Sequence, residues 1–142
     1  MSDEHFRRLE RMYVGAPINQ FYLPTIRVSD KQAQVTVTVR KDFHHAAHAA
    51  HGSVHFKMLD DAAFFAANSV VEDVFVLTVN FNIVLLRPVA DGVITATGRL
   101  VHQSRNLLVA ESELADSRGK TLARGGGTFM RSAIPLNADV GY

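Results

Sequence analysis

The sequence predicts an α+β domain in which an antiparallel β-sheet wraps around one long central helix. Three observations predict it. The run from Ser53 to about Ser69 lacks Gly and Pro and is apolar on most sides, as a helix is when it is enclosed rather than laid on a surface. The segments 74 to 87, 93 to 103, 106 to 116 and 120 to 131 then change to a period-two pattern, which marks strands. One alternating segment precedes the helix, and strands placed before and after a single buried helix are most simply joined in one sheet around it.

Along the chain, residues 3 to 13 are expected to form a short helix, with Phe6, Leu9 and Tyr13 at helical spacing. Pro17 and Pro24 bracket an irregular or edge segment. In 31 to 40, Ala33, Val35, Val37 and Val39 alternate with polar neighbours, the signature of a half-buried strand. A histidine-rich stretch, 41 to 52, leads into the long helix, for which Ser53 is the expected N-cap. Turns are marked by Asp91-Gly92, by Ser104 to Asn106 and by Ser117 to Gly119. No repeat, linker or low-complexity block divides the chain. One domain over 1–142 is expected, with its core about 30–131, a peripheral N-terminal helix and a loose tail after Arg131.

Composition narrows the function. With 142 residues and 47% hydrophobic content, one domain can pack a core without staples. The absence of cysteine excludes disulfides, a cysteine nucleophile and thiolate metal sites. A reducing cytoplasm is the expected location. A net charge of +1, from 15 basic and 14 acidic residues, gives no strong pull toward nucleic acid. The polar start, followed by Arg7, Arg8 and Arg11, is unlike a signal peptide, and no window approaches the ~20 apolar residues of a membrane span.

Asp60 and Asp61 are adjacent on the long helix but face different surroundings. Residues three and four apart share a helical face. Asp61 therefore has Lys57, Phe65 and Asn68 beside it, and with a cation at i−4 it needs no special role. Asp60 has Phe56, Ala63, Phe64 and Ala67. A carboxylate on an apolar face costs several kcal/mol unless it is paired or hydrogen-bonded. Either a non-local group satisfies Asp60, by capping or by an interfacial arginine, or function retains it. At the helix start, Gly52 lets a ligand approach the unpaired N–H groups, a geometry that suits a polarised carbonyl. Taken alone, His51-Gly52 is a weak motif, and the simpler expectation is that Gly52 only makes the turn into the helix.

Five of the seven histidines fall at His44, His45, His48, His51 and His55. The pairs 44/48 and 51/55 are i, i+4, a spacing that can bind zinc on a helix. No Glu follows the first His of either pair, and Gly52 interrupts a helix through the cluster. A polar loop at the mouth of a site is the simpler expectation. A metal-dependent hydrolase or metal-binding module is the rival.

Together, His51-Gly52-Ser53, Leu59-Asp60-Asp61-Ala62 and Leu86-Arg87-Pro88 resemble the hotdog-fold thioesterases of the phenylacetate-degradation (PaaI-type) family. Val101 to Arg105 and Thr128-Phe129 extend the resemblance over residues 30 to 131. It implies an acyl-CoA thioesterase that needs no cofactor or metal, with Asp60 as nucleophile or general base. It implies further that the Gly52 amide polarises the thioester carbonyl, with His51 beside it, and that Thr78, given by a partner subunit, positions the attacking water. Two positions depart from the family pattern: its second glycine is Ser53 and its Asn is His45.

Phe56, Phe64 and Phe81 form a candidate acyl pocket, with core packing the simpler expectation for any one of them. Arg87, Arg99, Arg105 and Arg124 are candidates for CoA phosphates, Arg105 foremost because of its turn-like motif. A homo-oligomer, dimer or dimer of dimers, is implied, with the site at the subunit boundary. Asp60 and Gly52, eight residues apart on one helix, are separated by ~12 Å and do not meet within a chain. A non-catalytic acyl-CoA-binding protein and a dehydratase remain alternatives on the same fold. The dehydratase would require a catalytic histidine paired with an acid in another arrangement.

Overall fold

The alternation of Ala33, Val35, Val37 and Val39 becomes strand β2 (Gln32–Val39), in which all four are buried and Gln32, Gln34 and Thr38 face solvent. A computed structural model describes residues 2–142. In it β2 pairs with β4 (Gly92–Gln103), β4 with β5 (Leu108–Asp116), and β5 with β6 (Thr121–Pro135). Strand β3 (Val74–Leu85) pairs with β6 rather than with the strand that follows it. A short strand, β1 (Thr25–Ser29), borders β2. The six strands form one antiparallel sheet in the order β1-β2-β4-β5-β6-β3, so β1 and β3 are its edges. Helix α3 (Gly52–Asn68) lies in the curve of this sheet and contacts every strand from β1 to β6.

Two close approaches seat α3. A β-carbon on Gly98 of β4 would stand 2.3 Å from the carbonyl of Ala62, so the helix backbone rests directly on the strand. Ser112 of β5 donates its hydroxyl to the carbonyl of Leu59 at 2.7 Å and is buried there. The helix encloses Val54, Met58, Leu59, Ala62, Ala63, Phe65 and Ala67, as its apolar sides predict.

Four expectations are corrected. The helix begins at Gly52, and its N-cap is His51, whose ring accepts from the Ser53 amide; Ser53 is already helical. The segment after Pro17 contains a short helix, α2 (Asn19–Tyr22), before β1. The N-terminal helix α1 (Asp3–Gly15) is not peripheral: Phe6, Leu9, Met12 and Tyr13 are part of the main core cluster. The tail is not loose. β6 runs to Pro135, and a 3-10 turn follows at Ala138–Val140. Beyond it the Tyr142 hydroxyl lies 2.7 Å from Nδ1 of buried His5, whose Nε2 reaches the Asn68 carbonyl at 3.0 Å. Among the described residues, no helix is long and apolar enough to cross a membrane.

Candidate active site

Asp60 projects from α3 toward β3, and its Oδ1 accepts a hydrogen bond from the Thr78 hydroxyl at 2.9 Å. This is the non-local partner that its apolar helix face requires. Burial is the main influence on its pKa and raises it; the Thr78 bond opposes, the charge of Asp61 adds, and Lys57 opposes. The net result is a carboxyl pushed up to about 6, close to neutral pH, where a general base is effective. The resemblance gives Thr78 a role across the subunit boundary; here it serves Asp60 of its own chain.

Asp61 makes the expected pair with Lys57, at 2.6 Å. Its second partner, outside the sequence argument above, is the Tyr13 hydroxyl, which donates to the same Oδ2 at 2.6 Å from α1. Burial first, and then the charge of Asp61, push the Tyr13 phenol far above its ordinary range. One signal was available: a buried tyrosine needs a partner for its hydroxyl.

At the entry to α3, the Ser53 amide and hydroxyl both reach Nδ1 of His51, at 3.0 and 2.9 Å. His45 lies beside them, its ring centroid 6.5 Å from that of His51, and its Nδ1 accepts from the Ala47 amide. A β-carbon on Gly52 would stand 3.2 Å from Cδ1 of Leu85. The remaining histidines are dispersed. His44 Nε2 donates to the Ala90 carbonyl, His55 is buried in the helix, and His48 occupies a left-handed turn at φ 67°. Among the described residues, no group of three or more His, Asp or Glu side chains could hold a metal ion.

Between these two places stand aromatic rings. Phe56, 39% exposed, meets Phe81 edge-on at 5.7 Å, and Phe81 leads to Phe129 at 6.4 Å. Phe64 is buried against Phe65, Phe75 and Phe129, which makes it core rather than an open wall. The Phe81 ring lies against Gly125 and Gly127 of β6, where a β-carbon at either position would come within 2.5 Å of it. Residue pattern alone gives the glycines of β6 no role; the ring laid over them does.

Of the arginines, Arg99 pairs with Glu111 and Arg124 with Glu113. Arg105 is exposed in the β4–β5 turn, at the sheet end shared by Gln103, Leu108, Phe129 and Thr78. Leu85, beside Gly52, belongs to the opposite end. Within one chain the structure thus joins Asp60 with Thr78, and Gly52 with His45, His51 and Ser53, and keeps the two groups apart along α3.

The model of the thioesterase superfamily matches residues 47–123, more than half of the chain. The fold is the hotdog fold. Its solved likenesses include the E. coli PaaI protein from the phenylacetic acid degradation operon, at 25% identity and TM-score 0.85, covering 94% of this chain and 97% of that one. A phenylacetic acid degradation-related protein of Ralstonia eutropha JMP134 is also 25% identical, with TM-score 0.78 and coverage of 89% and 98%. A Thermus thermophilus protein at 23% identity and TM-score 0.76, with coverage of 82% and 98%, shares the fold. No curated protein matches the chain in sequence.

Proposed function

The chain belongs to the thioesterase superfamily, and we propose that it hydrolyses the thioester of an acyl- or aryl-acyl-CoA. One observation carries this reading: Asp60 is a carboxylate on an apolar helix face, fixed by Thr78 and poised to titrate at about 6. Such a group is mostly ionised at neutral pH and accepts a proton readily as charge develops.

In the reaction, the Gly52 N–H donates to the thioester oxygen and stabilises the negative charge that forms there. Asp60 takes a proton from water as the water oxygen bonds to the carbonyl carbon, and the C–S bond then breaks; or Asp60 attacks that carbon itself, the C–S bond breaks to leave a mixed anhydride, and water hydrolyses the anhydride to the free acid and Asp60. In either route the CoA sulfur leaves as a thiolate that is protonated to the thiol. His51 caps the helix start through the Ser53 amide and meets the Ser53 hydroxyl, and the His45 ring stands beside it. Phe56 and Phe81 offer aromatic surface to the acyl group, with Phe64 behind them, and this surface favours aryl-acyl substrates. Arg105 is available to a CoA phosphate.

The active unit is a homo-oligomer, because Asp60 and Gly52 lie eight residues apart on one rigid helix, about 12 Å. Pairing through the open edge of β3 brings a second chain to this face.

The test is a panel of acyl-CoA thioesters, phenylacetyl-CoA among them, with free thiol release as the readout, for the parent and Asp60→Asn. Hydrolysis that falls by ~10²-fold or more in the variant is the expected result. Binding of the panel without hydrolysis would favour a non-catalytic acyl-CoA-binding protein.

A further inference from the structure

Asp60 and Asp61 are consecutive on α3 and differ in every partner. Asp61 Oδ2 accepts from Lys57 Nζ and from the Tyr13 hydroxyl, each at 2.6 Å. The Lys57 and Asp61 side chains are only 13% and 18% exposed. The Lys57 ammonium lies against the rings of Tyr13 and Tyr22, 5.2 and 5.0 Å from their centroids. An exposed i,i+4 pair is screened by water and salt and acts weakly on its neighbours. This pair is covered by α1 and α2 and keeps its field.

We propose that Asp61 and Lys57, clamped by Tyr13 from the N-terminal helix, are a positioning pair that sets the charge state of Asp60. The proposal rests on the assignment of the chemistry to Asp60. The charged and titratable groups acting on that carboxyl are Asp61 and Lys57 of its own helix and Tyr13 of α1, while β3 presents the Thr78 hydroxyl. The two members of the pair pull in opposite directions. The negative charge of Asp61 favours a protonated Asp60, and the positive charge of Lys57 favours an ionised one. Removing Asp61 leaves Lys57 unopposed, and removing Lys57 leaves Asp61 unopposed. General damage to the fold produces no such reversal of sign.

The experiment is a carbon-13 carboxyl NMR titration of the full chain, in which the Asp60 resonance is the one lost in Asp60→Asn. The Asp60 midpoint is expected to fall by about 0.5 pH unit or more in Asp61→Asn, and to rise by a similar amount in Lys57→Met. Lys57→Arg should return it close to the parent's value. The acid limb of kcat/KM for phenylacetyl-CoA, or for a faster acyl-CoA of the panel, should move with each midpoint. If Asp61→Asn does not fold, the Lys57 variants still carry the test. A midpoint that stays fixed in both, or moves the same way in both, overturns the proposal. Midpoints that move as expected while Asp60→Asn keeps the parent's rate would overturn the assignment of Asp60 and leave the pair standing.

Discussion

At the scale of single residues, Asp60 is held in a state that costs the fold something at neutral pH. Its carboxyl titrates at about 6 in place of the ordinary 3.8, with burial as the main cause. The folded chain therefore holds this proton more tightly than the unfolded chain. The stabilising contribution is complete below pH 3.8 and is lost as pH rises through about 6. Asp60→Asn cannot ionise, so its melting temperature should gain on the parent's as pH is raised from 4 to 7. Thermal unfolding at several pH values checks this; a gap that narrows over that range would contradict it.

Gly52→Ala tests the other pole. The added β-carbon meets only the end of the exposed Leu85 side chain, so the fold should tolerate it. The approach to the helix amide narrows, and kcat/KM should fall by about tenfold or more, toward the scale of losing an oxyanion donor.

Asp60 was legible because helical period alone places it among Phe56, Ala63 and Phe64. The Tyr13 bond to Asp61 spans 48 positions and has no local signature. Ser53 fits the usual N-cap preference, but an imidazole nitrogen two residues earlier takes the amide.

At the scale of elements, the site depends on how closely α3 rests on β4. The space over Gly98 is filled by the backbone of Ala62, which cannot turn aside as a side chain can. Gly98→Ala should therefore destabilise the protein by about 1–3 kcal/mol, read as a lowered urea midpoint. An unchanged midpoint would mean that the helix sits farther from the sheet. The long strands and α3 were legible because period two and period 3.6 each persist over many residues. β1 escaped because five residues after a proline give too short an alternation. The pairing of β3 with β6 is topological, and residue order does not encode it. The Gly125-Gly126-Gly127 run weakens a strand by itself; its reason is the Phe81 ring laid over two of the three.

At the scale of the whole molecule, one chain holds Asp60 with Thr78 and Gly52 with His51 at separate places along α3. β3 is a 12-residue edge strand that exposes Leu77, Val79, Val84 and Leu85, and an open apolar edge of that length invites a second strand. Light scattering at micromolar concentration should report a dimer or a dimer of dimers. In the proposed arrangement Gly52 of one chain works with Asp60 of another, and subunit mixing distinguishes this from a site within one chain. Asp60→Asn and Gly52→Ala chains, each impaired alone, are unfolded together, refolded at equal ratio and assayed for thiol release. Half of the dimers then carry one intact site, so activity should recover to about one quarter of the parent's per subunit. Activity no higher than the mean of the two variants would show instead that each site is built within a single chain.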